Sequence, residues 1–168
     1  MPPYIVIRGP LGVGKTTIAK RLARRLDALY ISIDNVLDEH HLDVIEEGEP
    51  CIPAENFVTA QTLVLPETQA ALDAGRPVIF DGNVYHQEQL DHLADALPTE
   101  GIVLTLTAPL PVCIARDAAR AEPYGEGAAA AVHWLVSRVD AGIPIETEGL
   151  TIEETLTEIR KHLRPFDL

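Results

Sequence analysis

The sequence is poor in positive charge. Lysine occurs only as Lys15, Lys20 and Lys161 among 168 residues, and the formal net charge at pH 7 is -13. Tight binding to nucleic-acid backbones usually requires a basic face, so this charge disfavours nucleic acid as a partner. An acidic, lysine-poor composition is also typical of proteins adapted to high salt, in which charge repulsion is screened.

Long apolar runs are missing as well. No stretch approaches the length needed to cross a bilayer, and the N-terminus leads into a strand rather than a signal peptide, which predicts a cytoplasmic protein without a membrane partner. The two cysteines, Cys51 and Cys113, lie far apart in apolar settings without metal-site spacing. We therefore expect free thiols, buried or half-buried, in a reducing compartment.

Strands and amphipathic helices alternate along the chain. Apolar runs predict strands at 4–9, 29–34, 76–83, 101–108 and 143–147. Helical periodicity predicts helices at 16–26, 55–74 (kinked or interrupted by Pro66), 86–97, 110–121, 128–140 and 151–163. This alternation predicts one α/β domain over residues 1–168, with a parallel sheet covered by helices on both faces. The active site of such a sheet lies at the carboxyl ends of its strands.

The segment GPLGVGKT at 9–16 lies between the first strand and the first helix. It fits the phosphate-loop pattern, in which glycines let successive backbone N–H groups point at phosphate oxygens and the following helix adds its positive end. Lys15 would reach the β- and γ-phosphates, and the Thr16 hydroxyl would join the Mg²⁺ shell. The predicted nucleotide-binding residues are Gly9, Gly12, Val13, Gly14, Lys15, Thr16 and Thr17.

Two acids end predicted strands at the expected active edge. Asp34 closes YISID, where a carboxylate could orient and deprotonate an acceptor hydroxyl, although Asp also often caps a helix. Asp81 closes VIFD, the usual position of a second Mg²⁺ anchor, although DGN is also a common turn. Asn83, in the same loop, could hydrogen-bond the acceptor, and His86 lies beside that loop.

Arg116 and Arg120 are one helical turn apart in IARDAAR, and glycines follow in EPYGEG. This pattern predicts a short mobile lid at 116–127 whose arginines close over the nucleotide and stabilise the transferring phosphoryl group. The alternative is a solvated helix face with local ion pairs. Arg138 is a third candidate, for which a structural role is favoured.

Taken together, these motifs resemble the phosphate-loop kinases related to nucleoside-monophosphate kinases, a group that includes adenylylsulfate kinase, chloramphenicol phosphotransferase, zeta toxin and polynucleotide kinase. The resemblance implies a five-stranded parallel sheet ordered 2-3-1-4-5. It also implies catalytic roles for Lys15, Asp34, Arg116 and Arg120, with Thr16 and Asp81 at the metal. The chain departs from monophosphate kinases, because Asp81-Gly82 is followed by Asn-Val-Tyr rather than Phe-Pro-Arg.

The sequence thus predicts ATP- and Mg²⁺-dependent phosphoryl transfer to a hydroxyl of a small molecule. Two alternatives stay open: a kinase acting on a nucleic-acid end, and a nucleotide-dependent regulatory ATPase without an acceptor. Neither the acceptor nor the oligomeric state follows from the sequence.

Overall fold

The computed structural model describes residues 1–166, so the last two residues of the predicted domain lie outside the described part of the chain. Its strands are β1 (Tyr4–Arg8), β2 (Leu29–Ser32), β3 (Val78–Asp81), β4 (Gly101–Thr107) and β5 (Ile143–Glu146). Its helices are α1 (Lys15–Leu26), α2 (Ile33–Glu39), α3 (Ala54–Asp73), α4 (Glu88–Ala96), α5 (Leu110–Ala118), α6 (Glu126–Ser137) and α7 (Ile152–Leu163), followed by a 3₁₀ turn (Arg164–Phe166).

The strands form one sheet in the order β2-β3-β1-β4-β5, and every neighbouring pair is parallel. Parallel strands need crossover connections, which the helices supply. The predicted α/β class, sheet topology and strand order are confirmed.

The central strand β1 is buried along its whole length because helices cover both faces of the sheet. Ile5 and Ile7 belong to the apolar cluster under α1 and α7, whereas Tyr4 and Val6 belong to the cluster under α3 and α4. This alternation follows from the two-residue period of a strand. Complete burial of a side chain such as Ile5 contributes about 2 kcal/mol.

Arg8, the last residue of β1, is a buried cation only 1% exposed to solvent. Its guanidinium donates hydrogen bonds to the carbonyl oxygens of Val136 (2.6 Å), Val139 (2.9 Å) and Ala141 (3.4 Å), and to Thr105 Oγ1 (3.2 Å). These carbonyls lie at and just after the C-terminal end of α6, where the helix dipole favours a positive charge. Arg8 therefore ties the end of α6 to the strand that leads into the phosphate loop.

Several element boundaries differ from the sequence-based predictions. β2 ends at Ser32, whose Oγ accepts a hydrogen bond from the backbone N–H of Asn35 (3.3 Å) and so caps α2. Asp34 consequently lies in the first turn of α2 and not at the end of a strand. Helix α3 passes through Pro66 without interruption.

The segment predicted as a lid is bordered by two helices. α5 ends at Ala118, so Arg120 lies beyond it and not on the same helix as Arg116. α6 begins at Glu126, two residues earlier than predicted. Gly125, with φ +97°, is the N-cap residue of this helix. No helix within residues 1–166 combines the length and apolar character needed to cross a membrane. The two cysteines are free and buried, as predicted.

Candidate active site

The phosphate loop connects β1 to α1 and depends on glycine at two tightly packed positions. Gly9 and Gly12 have φ of +154° and +84°. A Cβ on Gly9 would lie 2.5 Å from the carbonyl oxygen of Leu106, and a Cβ on Gly12 would lie 2.3 Å from that of Cys113. The loop is therefore seated against β4 and α5 at distances that no side chain allows.

The N-terminus of α1 is open to an anion. Gly14 precedes the helix with φ +100°, and no acidic residue occupies the first turn. Thr16 and Thr17 are exposed there, whereas Val13 is buried and keeps the loop attached to the core. Free backbone N–H groups and the helix dipole favour phosphate oxygens at this place.

Lys15 is half-buried and donates a hydrogen bond from Nζ to the carbonyl oxygen of Pro10 (3.2 Å). Burial lowers the pKa of the Lys15 ammonium; the carboxylates of Asp34 and Asp81 oppose this, and the guanidinium of Arg120 adds to it. Asp34, Asp81 and Arg120 therefore each lie close enough to act on Lys15, although the four residues come from four separate parts of the sequence.

Asp81 is the buried acid of the site, 3% exposed at the end of β3. Its Oδ2 accepts a hydrogen bond from the Tyr30 hydroxyl (2.8 Å), whereas its Oδ1 is buried without a hydrogen-bond partner in the described part of the chain. A buried carboxylate oxygen is costly unless water or an ion meets it. Mg²⁺ is commonly held by one or two carboxylates together with substrate phosphates, so Asp81 and the hydroxyl of Thr16 fit such an ion.

Asp34 approaches the loop that follows β3. A Cβ on Gly82 would lie 3.5 Å from Asp34 Oδ1, and the backbone N–H of Asn83 acts on the same carboxylate. Asp34 is open to solvent on one side, but the protein around it raises the pKa of its carboxyl; Lys15 opposes this rise and Asp81 adds to it. Asp34 is thus a carboxylate of raised pKa that lies at the loop after β3, within electrostatic reach of Lys15.

The two predicted lid arginines have different surroundings. Arg116 donates to the carbonyl oxygens of Val13 (3.3 Å) and Thr147 (2.8 Å) and to Thr147 Oγ1 (2.9 Å), so it joins the phosphate loop to the segment after β5. Arg120 is 47% exposed along its side chain, and its guanidinium lies 5.1 Å from the centre of the Tyr124 ring. Arg116 is held by hydrogen bonds, whereas the Arg120 guanidinium lies at the surface, 3.8 Å from Asp117 Oδ1.

A second group of side chains extends from Tyr85, which is near Asp34, to the loop before α3. Burial and the charge of Asp34 raise the pKa of the Tyr85 hydroxyl. His86 Nε2 lies 2.8 Å from the carbonyl oxygen of Ile52 and 3.6 Å from Cys51 Sγ, which joins the loop after β3 to the loop before α3. The charge of Arg138 reaches Cys51, and its guanidinium stacks on the Trp134 ring at 5.0 Å.

Sequence reasoning missed Tyr30, Thr147 and Tyr85. Tyr30 could have been found by aligning the ends of β2 and β3, because Ser32 pairs with Asp81 and Tyr30 lies two residues earlier on the same side of β2. Thr147 had no signal, since its role depends on where Arg116 reaches.

Comparison with known proteins identifies the family and the fold of the chain. The family model described as "AAA domain" (AAA_33) matches residues 5–140. A deoxyguanosine kinase of Bacillus subtilis is 29% identical over 73% of this chain and 69% of its own length. A shikimate kinase of Geobacter sulfurreducens is 27% identical over 95% of this chain and 90% of its own.

Among solved structures, a sugar kinase from Janibacter sp. HTCC2649 superposes with a TM-score of 0.78 at 19% identity, covering 98% of this chain and 95% of that one. The matches confirm the prediction of a P-loop kinase. They do not distinguish among the individual kinases that the sequence motifs resemble. The chain therefore belongs to the AAA_33 family and has the fold of a P-loop kinase.

Proposed function

We propose that this protein transfers the γ-phosphoryl group of ATP, with Mg²⁺, to a hydroxyl group of a small molecule. The observation that carries this proposal is the position of Asp34, a carboxylate beside both the phosphate-loop Lys15 and Asp81. A carboxylate at this position can orient the hydroxyl of an acceptor and take its proton.

Each side chain has a distinct part in the proposed reaction. Asp34 accepts the proton of the acceptor hydroxyl as its oxygen bonds to the γ-phosphorus, and ADP leaves with the electrons of the broken P–O bond. Lys15 and the N-terminus of α1 hold the phosphates, and Arg120 stabilises the charge on the transferring group. A bound Mg²⁺ would neutralise phosphate charge, with Thr16 and Asp81 as its protein ligands.

The acceptor is expected on the side of the sheet where α2 and α3 meet the loop after β3. Asn83 and Tyr85 lie there next to Asp34, and the Oδ1 atom of Asn83 is buried without a hydrogen-bond partner in the described chain. A hydroxyl-rich molecule can satisfy such a group. The relatives named for shikimate, deoxyguanosine and sugars suggest this class of acceptor.

ATP use and two free thiols favour a cytoplasmic location. The net charge of -13 makes a nucleic-acid end the less favoured acceptor. Residues 1–168 are proposed to act as one kinase domain.

The test is consumption of ATP with and without candidate acceptors. Shikimate, deoxyguanosine, a panel of sugars and 5′-hydroxyl oligonucleotides would each be added to the protein with Mg²⁺ and ATP. Stimulation by a small molecule, lost in Asp34→Asn but kept in Asp38→Asn, supports the proposal; Asp38 is exposed on the same short helix. Stimulation by oligonucleotides alone favours an end kinase, and acceptor-independent turnover that Asp34→Asn leaves intact favours the regulatory ATPase.

The metal assignment has its own test. Asp81→Asn removes the negative charge that would face Mg²⁺, so the Mg²⁺ concentration giving half-maximal turnover should rise about tenfold. The same titration on Asp38→Asn should match the wild type. An unchanged Mg²⁺ requirement in Asp81→Asn would contradict a metal role for Asp81.

A further inference from the structure

A buried carboxylate joins the two helices that border the predicted lid. Asp117, on α5, is 1% exposed. Its Oδ2 accepts a hydrogen bond from the backbone N–H of Gly125 (2.8 Å), and its Oδ1 accepts one from that of Tyr124 (3.3 Å). Neither N–H belongs to the helix that carries Asp117, so one side chain closes the whole loop between α5 and α6.

We propose that Asp117 is a positioning residue that holds the lid loop, and with it Arg120, beside the phosphate loop before any nucleotide binds. This inference rests on the proposed function, because it assigns Arg120 to a phosphate of ATP. The lid loop would then be ordered in the ligand-free protein and would not become ordered only when nucleotide binds.

The first support is the way in which α6 begins. Gly125 precedes the helix and has no side chain to cap it, so the free N–H groups at this end need an acceptor from elsewhere. Asp117 supplies an acceptor for the first of these groups, the N–H of Gly125, and its negative charge also suits the positive end of the helix dipole. The carboxylate is thereby satisfied by backbone groups alone.

The second support is the loose attachment of Arg120. Its Nη1 lies 3.8 Å from Asp117 Oδ1, a weak ion pair on the solvent side, and its guanidinium stacks on Tyr124, which Asp117 also holds. Because two N–H groups already satisfy Asp117, Arg120 can turn toward a phosphate without leaving a buried charge unpaired.

The third support is the rigid path from Asp117 to the phosphate loop. One turn before Asp117, the carbonyl of Cys113 packs against Gly12, and the neighbouring Arg116 bonds the carbonyl of Val13. Helix α5 is therefore fixed to the loop that would bind the phosphates. The charge of Arg120 lowers the pKa of Lys15, so its guanidinium lies within electrostatic reach of the phosphate-binding lysine.

Amide hydrogen exchange tests the preformed loop, with Asp117→Asn as the variant and Glu122→Gln as the control. Glu122 is an exposed acid in the same loop, so it controls for the loss of one negative charge near Arg120. The amides of Tyr124 and Gly125, which donate to Asp117, should be protected in the ligand-free wild type and in Glu122→Gln. In Asp117→Asn they should exchange at least about tenfold faster, because the capping hydrogen bonds to a charged acceptor are lost.

Calorimetry separates positioning from a purely structural role. Mg²⁺·ADP and the non-hydrolysable analogue Mg²⁺·AMP-PNP would be titrated into each protein. In Asp117→Asn the affinity for Mg²⁺·AMP-PNP relative to Mg²⁺·ADP should fall about tenfold, which corresponds to the loss of one charge-assisted contact. The affinity for Mg²⁺·ADP itself should be unchanged. Arg120→Gln, which leaves the hydrogen bonds of Asp117 in place, should lose the same preference without faster exchange.

The possible failures are distinguishable. Fast exchange at the amides of Tyr124 and Gly125 in the ligand-free wild type, or equal effects of Asp117→Asn and Glu122→Gln, would overturn the inference while ADP binding still supports the proposed function. An unchanged AMP-PNP preference in both Asp117→Asn and Arg120→Gln would also overturn it. If the wild type binds neither nucleotide, the proposed function fails and the inference fails with it.

Discussion

The ammonium of Lys15 is bonded to the carbonyl oxygen of Pro10 at 3.2 Å, within the same phosphate loop. The lysine is therefore folded over the loop that would receive the phosphates. Burial lowers its pKa, so it gains from meeting a stronger negative charge than a carbonyl. Phosphate oxygens would replace Pro10 as the partner of Nζ when nucleotide binds.

Replacing Lys15 with alanine should reduce phosphoryl transfer at least about 100-fold, because a preorganised charge at the transferring group is lost. The fold should persist, since Lys15 contributes little packing. Turnover assays and thermal unfolding of Lys15→Ala, with Lys20→Ala as the control on the same helix, check this. Equal turnover in the two variants would remove Lys15 from the mechanism.

Asp34→Asn should lower transfer by roughly two or more orders of magnitude and leave ATP affinity nearly unchanged, because the phosphate loop is intact. The wild-type rate should fall on acidification through the pKa of Asp34, which burial raises above 3.8. The residual activity of Asp34→Asn should lack this acid limb. The pH–rate profiles of the two proteins measure it, and an identical acid limb in both would assign it to another group.

The thermal stability of Asp34→Asn gives a second, independent test of the raised pKa. A raised carboxyl pKa means that the folded state holds the proton more tightly than the unfolded state, so ionised Asp34 destabilises the fold at pH values above its folded pKa. The neutral amide should therefore unfold at the same temperature as the wild type or higher at pH 7. Thermal scans at pH 7 check this, and a clearly lower unfolding temperature would contradict the raised pKa.

Gly12→Ala should abolish nucleotide binding while the protein stays largely folded. The added Cβ would meet the carbonyl oxygen of Cys113 at 2.3 Å, and φ of +84° is strained for alanine by about 1–3 kcal/mol. The loop must move away from α5, which displaces its N–H groups from the phosphates. Calorimetry with Mg²⁺·ADP measures the loss. Gly127→Ala, with open space around it, should bind ADP like the wild type.

Arg8→Met should lower the free energy of unfolding by about 3 kcal/mol, because it leaves the carbonyl of Val139 without the guanidinium donor and removes the 2.6 Å bond to the carbonyl of Val136. Trp134 is the single tryptophan of the chain and lies on α6, so its quenching by acrylamide reports loosening of that helix. Urea unfolding and quenching of Arg8→Met, beside the exposed Arg24→Met, test the prediction. Equal stability of the two variants would show that water replaces the guanidinium at no cost.

The sequence by itself determined the fold class and the phosphate loop, and the resemblance of its motifs to phosphate-loop kinases implied the strand order. Continuous apolar strands that alternate with amphipathic helices leave few arrangements other than a parallel sheet. The loop pattern is local, because Gly9, Gly12, Gly14 and Lys15 act through the backbone and one side chain within eight residues. Such local features can be predicted from the sequence without knowledge of contacts between distant residues.

Tertiary structure decided what depends on contacts between distant residues. Because Ser32 caps α2, Asp34 lies in that helix and not at the end of a strand. The sheet topology nevertheless brings Asp34 within reach of Lys15. Arg116 and Arg120 look equivalent in sequence, yet one is bound to Thr147 and the other is open to solvent. Their difference is set by a strand and a loop about thirty residues away, and sequence spacing carries no information on such a partner.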